Sequence, residues 1–301
     1  MLSCIFNLLS RPKNMPTRFA LGTCLALATA THCLAAERAY RLPVGVREKC
    51  LQQLRTTMNG SEFWPAMHAA EALTLAGHTS EVRSALEPKL ATEHDDQHRC
   101  GLARELVRAG HLSRVSVMVL VLGKQDTYAH THAAESLYKI GQAGDTRLLQ
   151  RAAQQREIPK LQLMAAAALT RSGDPGAIAL IRAALEDQRP EVRQVVAWLL
   201  ARLGDPRDIA PLSKVAARET DPVAKAYELI GLAALGDPPG RQALANYLAD
   251  KNPELRAYAA EMVGYCRAVE LAEPLTRLLE DPAIDVRVRA AQSLILLGQG
   301  V

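Results

Sequence analysis

Residues 289–298 read RAAQSLILLG, and this kind of apolar segment, closed by a glycine, recurs along most of the chain. Seven copies close on glycine, while the copy YAAEMVGYCR ends on arginine instead. At intervals of 31 to 33 residues, the closing positions are Gly77, Gly110, Gly141, Gly173, Gly204, Gly236, Arg267 and Gly298. Eight copies at a nearly fixed period predict a repeat array, in which each unit buries its apolar face only against its neighbours.

Each unit reads as two helices. In the last unit the apolar positions follow a spacing of 4, 3, 1 and 3 residues, which places them on one face of a helix: Val286, Ala290, Ser293, Leu294 and Leu297. The closing glycine then lies where a left-handed helix C-cap is favoured. A second amphipathic segment follows the turn, as in residues 177–185, and no period-2 alternation predicts strands. Because helices pack roughly 8–10 Å apart, eight units predict a rod or shallow arc of roughly 80 Å.

Helix starts are marked by proline. A proline stands fourteen residues before the closing position in four units, at 159, 190, 222 and 253. Proline suits the first turn of a helix, where its missing N–H has no partner to lose. Asp221 and Asn252 directly precede two of these prolines and are good N-caps.

The stretch DPAIDVRVRAAQSL at residues 281–294, followed by Leu297 and Gly298, resembles the signature of HEAT repeats. It is most similar to the subtype called phycobilisome-lyase HEAT-like repeats, and the resemblance covers residues from about 61 to 301. It implies an all-α, right-handed α-α superhelix of about eight two-helix repeats. Such repeats usually make protein-binding scaffolds.

The resemblance also extends to two groups of enzymes, deoxyhypusine hydroxylase and the bilin lyases. The first resembles a HEAT array that holds two iron ions through His-Glu dipeptides, and none of the eight histidines here is followed by glutamate. The bilin lyases act on cytosolic antenna proteins, whereas this chain is predicted to be exported. The sequence therefore leaves enzymatic activity uncertain, with a non-catalytic role favoured.

The first 36 residues have the composition of an export signal. Arg11, Lys13 and Arg18 precede an apolar run at 19–30, and small residues end at Ala36. This pattern predicts a signal peptide at 1–36, starting at Met1 or Met15, and a periplasmic or secreted protein without a stable membrane span after cleavage. The alternative is an uncleaved leader on a protein that stays inside the cell. A lead-in helix at 37–60 and the repeat array at 61–301 complete the predicted organisation.

Charge and cysteine content narrow the functional classes. Three of the 36 basic residues and none of the 32 acidic residues lie in the leader, so the remaining chain is nearly neutral. The sequence shows no basic stripe of the kind that would suggest nucleic acid as a partner. Cys50, Cys100 and Cys266 lie far apart in sequence and form no disulfide framework.

Histidines cluster in the first three units and offer the sharpest chemical pattern. His68 with Glu71, and His132 with Glu135, each stand three residues apart on a helix and could supply metal ligands. The stacking of units is expected to separate the two pairs by about 16–20 Å, too far for one site. His94 and His98 stand four residues apart, a spacing that suits metal ligands on a helix, but a cap at Asp95 or Asp96 would leave His94 in a loop.

Two rows of the middle units lie nine and six residues before the closing position and are expected to face outward. Large apolar groups there suggest an interface with a partner protein, unless neighbouring loops cover them. The candidate residues are Met164, Val195, Trp198, Tyr227, Ile230 and Tyr258.

A further row is mostly basic and stands eleven residues before the closing position. With acidic residues in the preceding loops, it is typical of a hydrogen-bond ladder between HEAT units, with an anion-binding stripe as the alternative. The ladder candidates are Arg193, Lys225, Arg256, Arg287, Asp187, Asp250 and Asp281.

The two ends of the array are expected to differ in whether they are covered. Phe63 and Trp64 are predicted to cover the first unit, with an exposed aromatic site as the alternative. The last unit lacks a second helix before Val301 and is expected to leave an open edge. That edge would receive another copy or a partner. The sequence therefore favours an exported protein-binding scaffold without a cofactor, and the alternative is a metal-dependent module in the His-rich units.

Overall fold

The computed structural model describes residues 40–299, which form sixteen α-helices, four short 3₁₀ helices and, within this range, no strand. The predicted all-α HEAT-like solenoid of two-helix repeats is confirmed. The proposed signal peptide at 1–36 lies outside the described residues. Between residues 40 and 299, every helix is too short or too polar to span a bilayer.

Eight helices contain the recurring apolar segments, one in each unit. They lie side by side in chain order and form an inner layer: α2 (Phe63–Leu75), α4 (Asp96–Arg108), α6 (His130–Ile140), α8 (Pro159–Arg171), α10 (Pro190–Leu203), α12 (Pro222–Leu235), α14 (Pro253–Tyr265) and α16 (Ile284–Gly298).

The other eight helices form an outer layer, packed between consecutive inner helices. They are α1 (Val44–Met58), α3 (Thr79–Thr92), α5 (Val115–Leu122), α7 (Thr146–Ala152), α9 (Ile178–Ala183), α11 (Ile209–Arg218), α13 (Pro238–Tyr247) and α15 (Ala272–Leu278).

The array closes on itself. Helix α16 packs against α2 as neighbouring inner helices do, and α1 packs against both of them. The lead-in helix α1 therefore takes, beside α16, the place that the second helix takes in the other units. The expected open edge is wrong, and so is the rod or shallow arc, because the chain's own first helix covers the last unit.

Closure buries the residues of α1 that face the array. Cys50, Leu54 and Met58 are almost fully buried, whereas Val44 at the start of the helix is exposed. Polar contacts cross the same junction, since Lys49 pairs with Glu280 and Gln53 Nε2 donates to the carbonyl of Leu279 over 2.7 Å. The junction is thus an apolar contact with a polar rim.

The predicted helix starts are confirmed. Helices α8, α10, α12 and α14 each begin on the expected proline. The Asp221 side chain accepts hydrogen bonds from the backbone N–H groups of Val223 and Ala224, and Asn252 accepts one from Glu254. These caps satisfy N–H groups that have no partner inside the helix.

The closing positions keep a left-handed conformation in most units. Gly236 has φ 94° and Arg267, where the glycine is missing, has φ 53°. The turn is therefore preserved at Arg267, at the cost of strain that glycine avoids. Gly204 and Gly298 depart from the expected C-cap, since Gly204 is extended (φ −69°, ψ 171°) and Gly298 still belongs to α16.

Candidate functional site

Side chains that were expected on the outside meet at the centre of the ring. Positions nine, six and two residues before the closing residue share one helix face, because they differ by three, four and seven residues. Side chains of this face touch across the ring between inner helices that are not neighbours, such as Arg202 of α10 and Glu261 of α14. The centre is therefore lined by the rows that were expected to face solvent.

A network of ion pairs occupies this centre. Glu71 of α2 pairs with Arg108 of α4 at 3.0 Å and with Arg289 of α16 at 3.3 Å. Arg108 also donates to both oxygens of Glu105 at 2.9 Å, and Arg289 donates to Gln292 at 2.8 Å. Glu71 thus links the first, second and last units of the ring.

The network continues through the last units. Glu261 of α14 lies 2.9 Å from Nη2 of Arg202 on α10 and 3.8 Å from Nη1 of Arg289. On the opposite side, Lys139 pairs with Glu135 of its own helix at 2.8 Å. Within the described residues, five acidic and five basic side chains balance one another: Glu71, Glu105, Glu135, Glu261 and Asp285 against Arg104, Arg108, Lys139, Arg202 and Arg289.

Aromatic rings fill the space between these charges. The Trp198 ring has the Arg202 guanidinium 4.2 Å and the Lys139 ammonium 5.4 Å from its centroid, and its edge meets Tyr138 at 5.7 Å. Cations near a ring face are attracted by its quadrupole, and more strongly where water is excluded. Trp198 therefore ties α6 to α10 across the ring.

The electrostatics keep the central carboxylates ionised. Burial alone would raise the pKa of Glu71, but Arg108, Arg289 and Lys139 outweigh it and hold the pKa well below its ordinary value. Burial would also raise the pKa of Glu261, but Arg289 and Arg202 outweigh it and lower this pKa to about 2. Glu71 and Glu261 are therefore ions that neighbouring cations neutralise, rather than protonated acids.

The predicted partner-binding residues are not exposed as a row. Ile230 is 0%, Met164 3%, Tyr258 5% and Tyr227 9% exposed, while Val195 and Trp198 are half-buried. Tyr227 and Tyr258 stack at a centroid distance of 4.3 Å. The expectation that these side chains face outward is wrong, because ring closure turns their helix face toward the centre.

The metal candidates engage different partners. His68 Nδ1 lies 2.6 Å from Asp285, Glu71 and Glu135 pair with cations, and His132 stacks on Trp64 at 5.0 Å. Asp95 caps α4 by accepting from the His98 N–H, which leaves His94 exposed before the helix. Between residues 40 and 299, no three or more His, Cys, Asp or Glu side chains come together where they could hold a metal ion.

Phe63 and Trp64 form an aromatic cluster with these histidines. Phe63 stacks on His98 at 3.8 Å, while Trp64 reaches past α4 to His132 of α6. Gly101 makes room for this reach, since a Cβ there would lie 3.1 Å from Phe63 and 3.3 Å from Trp64. Both aromatic residues are half-buried.

Several residues of the basic row link neighbouring units. Arg193 donates to Glu219 at 2.6 and 2.8 Å and to the carbonyl of Asp187. Arg256 likewise donates to Asp281 at 2.8 and 2.9 Å and to the carbonyl of Asp250.

The remaining members of that row make local contacts. Arg287 donates to the carbonyls of Asp281 and Pro282, and Lys225 is half-buried on α12. The carboxylate of Asp187 binds Arg189, and that of Asp250 accepts from the Asn252 N–H.

A groove opens where the ring closes, and we call it the closure groove. It has a volume of about 520 Å³ and lies at the N-terminal ends of α2, α14 and α16. Apolar side chains and three carboxylates line it, together with Arg287: Pro65, Pro253, Ala257, Pro282, Ala283, Ile284, Val286, Glu62, Glu254 and Asp285. No sequence pattern pointed to it, because its walls belong to units that are far apart in the chain.

One buried acid was also missed. Glu228 on α12 is fully buried, and neither of its carboxyl oxygens accepts a hydrogen bond from the described residues. Burial, with Glu219 nearby, raises its pKa to about 8. The signal was present in the sequence, since Glu228 stands eight residues before the closing glycine, where the other units carry alanine, leucine or valine.

Comparisons with known proteins agree with the repeat architecture. Residues 146–233 match the family model described as HEAT repeats, which spans the middle units. The phycobilisome-lyase subtype is not distinguished by this match. No curated protein matches the chain by sequence.

Two solved structures show limited likeness. Human deoxyhypusine hydroxylase in complex with glycerol aligns over 84% of this chain and 97% of its own, with 18% identity and a TM-score of 0.42. An engineered protein aligns over 72% of this chain and 96% of its own, with 19% identity and a TM-score of 0.31. TM-scores this low bear neither on the fold nor on the activity of this chain.

Proposed function

We propose that this chain is an exported HEAT-repeat scaffold that binds another protein and performs no chemistry itself. The observation that carries this proposal is the pairing at the ring centre, where Glu71, Glu135 and Glu261 pair with neighbouring cations. Catalytic acids and bases need pKa values near the working pH, whereas those of Glu71 and Glu261 lie far below it.

The repeat architecture supports binding. A closed ring of stacked helices presents a large, rigid surface, and rigid surfaces bind partners with a small loss of conformational entropy. The closure groove is a concave part of this surface.

The export part of the proposal rests on the composition of residues 1–36. N-terminal sequencing of the protein recovered from the envelope of a bacterium that expresses it tests this part. A mature chain that begins at Glu37 supports export, and an intact N-terminus at Met1 or Met15 in the cytoplasm contradicts it.

The binding part is tested by crosslinked capture from the same envelope, followed by purification of the captured protein. The expected result is a one-to-one complex of the two purified proteins in isothermal titration calorimetry. Metal analysis of the purified chain serves as the opposing arm. A stoichiometric metal ion that is lost in His94→Ala or His132→Ala would show that the metal-dependent alternative is correct.

A further inference from the structure

The closure groove exists only because the ring is closed. Its floor is the start of α16, while one wall comes from Glu62 and Pro65 at the start of α2 and the other from Pro253 and Glu254 at the start of α14. Residues of the first, seventh and eighth units therefore meet at one surface. Its volume of about 520 Å³ lies within the range of clefts that bind ligands.

The charge of the groove is negative. Glu62 and Glu254 are exposed on opposite walls, and Asp285 lies on the floor. Arg287 is the basic residue of the lining, and its guanidinium donates to the carbonyls of Asp281 and Pro282. The pKa of His68, which contacts Asp285, is lowered chiefly by burial, so this histidine adds no positive charge at neutral pH.

The remaining lining of the groove consists of short apolar side chains. Pro65, Pro253 and Ile284 present compact side chains without hydrogen-bond donors. An extended peptide whose conformation is already restricted before binding loses little conformational entropy when it packs on such a surface.

We propose that the closure groove binds an extended peptide segment of the partner that carries lysine or arginine beside short apolar residues. The basic side chains pair with Glu62 and Glu254 on the two walls, and the apolar side chains pack on Ile284 and the prolines. This inference rests on the proposed scaffold function and names the partner's chemistry. Charge complementarity disfavours nucleic acid, whose phosphates would face the carboxylates.

The test measures fluorescence anisotropy of a labelled nonapeptide that alternates lysine and leucine around a central proline, titrated with the full chain. Glu62→Lys with Glu254→Lys is expected to weaken binding at least tenfold. The same peptide with glutamate in place of lysine is expected not to bind. Binding should also weaken as salt rises, since exposed charges are screened.

Glu191→Lys is the matched control. Glu191 follows Pro190 in the first turn of α10, just as Glu254 follows Pro253 in α14, and it is exposed outside the groove. The control variant should bind the peptide as tightly as the natural chain does, with all variants giving the same far-ultraviolet circular dichroism. Equal weakening by Glu191→Lys, or no weakening by the double variant, would overturn the proposal.

The captured partner separates this inference from the proposed function. A partner that binds the natural chain but loses at least tenfold affinity for the double variant supports both. A partner that binds both forms equally contradicts the groove and leaves the scaffold function standing. Failure to form any one-to-one complex contradicts the scaffold function, and the peptide result then decides the chemistry of the groove alone.

Discussion

His68 Nδ1 lies 2.6 Å from Oδ1 of Asp285, although the two residues are 217 positions apart in the chain. His68 belongs to the first repeat helix and Asp285 to the last. Glu71 stands three residues after His68, and Arg289 stands four residues after Asp285. The Glu71–Arg289 pair spans the same junction at 3.3 Å. Ring closure is thus held by polar contacts that face the centre as well as by the apolar packing of α1.

Removal of Arg289 should destabilise the ring strongly. Arg289→Gln leaves Glu71 and Glu261 with one cation fewer in a buried setting, and breaking a buried pair costs about 3–5 kcal/mol. Because Arg108 and Arg202 remain, the expected loss in the free energy of unfolding by urea is about 3 kcal/mol. Glu71→Gln combined with Arg289→Gln should cost less than the sum of the single changes. Arg277→Gln, at an exposed pair with Glu273, is the control with almost no effect.

Stability should fall in mild acid. Burial, together with Arg289, lowers the pKa of His68 below its ordinary value of 6.5 although Asp285 opposes this shift, and burial also lowers the pKa of His132. The unfolded chain therefore binds protons that the folded ring excludes as the pH drops below 6.5. Each group contributes at most about 1.4 kcal/mol per pH unit.

Unfolding midpoints at pH 7.5 and pH 5.5 measure this dependence. His68→Asn with His132→Asn should flatten the difference, while His94→Asn, at an exposed loop position, should leave it unchanged. An identical pH dependence in the double variant would contradict the assignment.

Glu228 should destabilise the protein increasingly at high pH. Its pKa is raised from 4.5 to about 8, so the folded state keeps a proton that the unfolded chain releases between these values. Glu228→Gln should therefore stabilise the ring, with a gain that rises between pH 4.5 and pH 8 by at most about 1.4 kcal/mol per unit. Thermal melts across this range test the slope, and Glu191→Gln on the exposed turn of α10 should show none.

Trp198 should contribute to stability rather than to an exposed interface. Its ring contacts Arg202, Lys139 and Tyr138, so Trp198→Ala removes contacts across the ring. We expect a loss of about 2–4 kcal/mol in the free energy of unfolding, since the side chain is half-buried rather than fully buried. Leu120→Ala on the exposed face of α5 is the apolar control. An unchanged melting temperature for Trp198→Ala would show that the central contacts contribute little.

Arg267 should gain from replacement by glycine. A left-handed conformation costs a residue with a side chain about 1–2 kcal/mol, and glycine's extra backbone freedom costs about 0.5–1 kcal/mol. Arg267→Gly should therefore stabilise by about 0.5–1 kcal/mol. Gly236→Ala tests the same strain in reverse, because no atom lies within 4 Å of the added Cβ. A loss of stability in both variants would contradict this account.

The repeat architecture could be predicted because its causes are local. Spacing of apolar residues, proline at helix starts and glycine at helix ends act within one unit, and α8, α10, α12 and α14 begin where the prolines stand. The same local reasoning predicted a cap at Asp95 or Asp96, and Asp95 caps α4.

The site could not be predicted, because it depends on curvature. A small rotation between units, repeated eight times, decides whether an array is a rod or a ring, and no single unit encodes this rotation in a readable pattern. An assumption of an open array therefore placed Ile230 and Tyr258 on the outside, whereas closure buries them.

The amino-acid sequence by itself determined the two-helix unit, the number of units and the boundaries of most helices, since these follow from contacts within about one period. Only the tertiary structure decided that α1 completes the last unit, that Glu71 meets Arg289 and that Glu62 and Glu254 line one groove. The reason is physical: these contacts join the two ends of the chain, and their free energy is gained only after all the intervening units have packed.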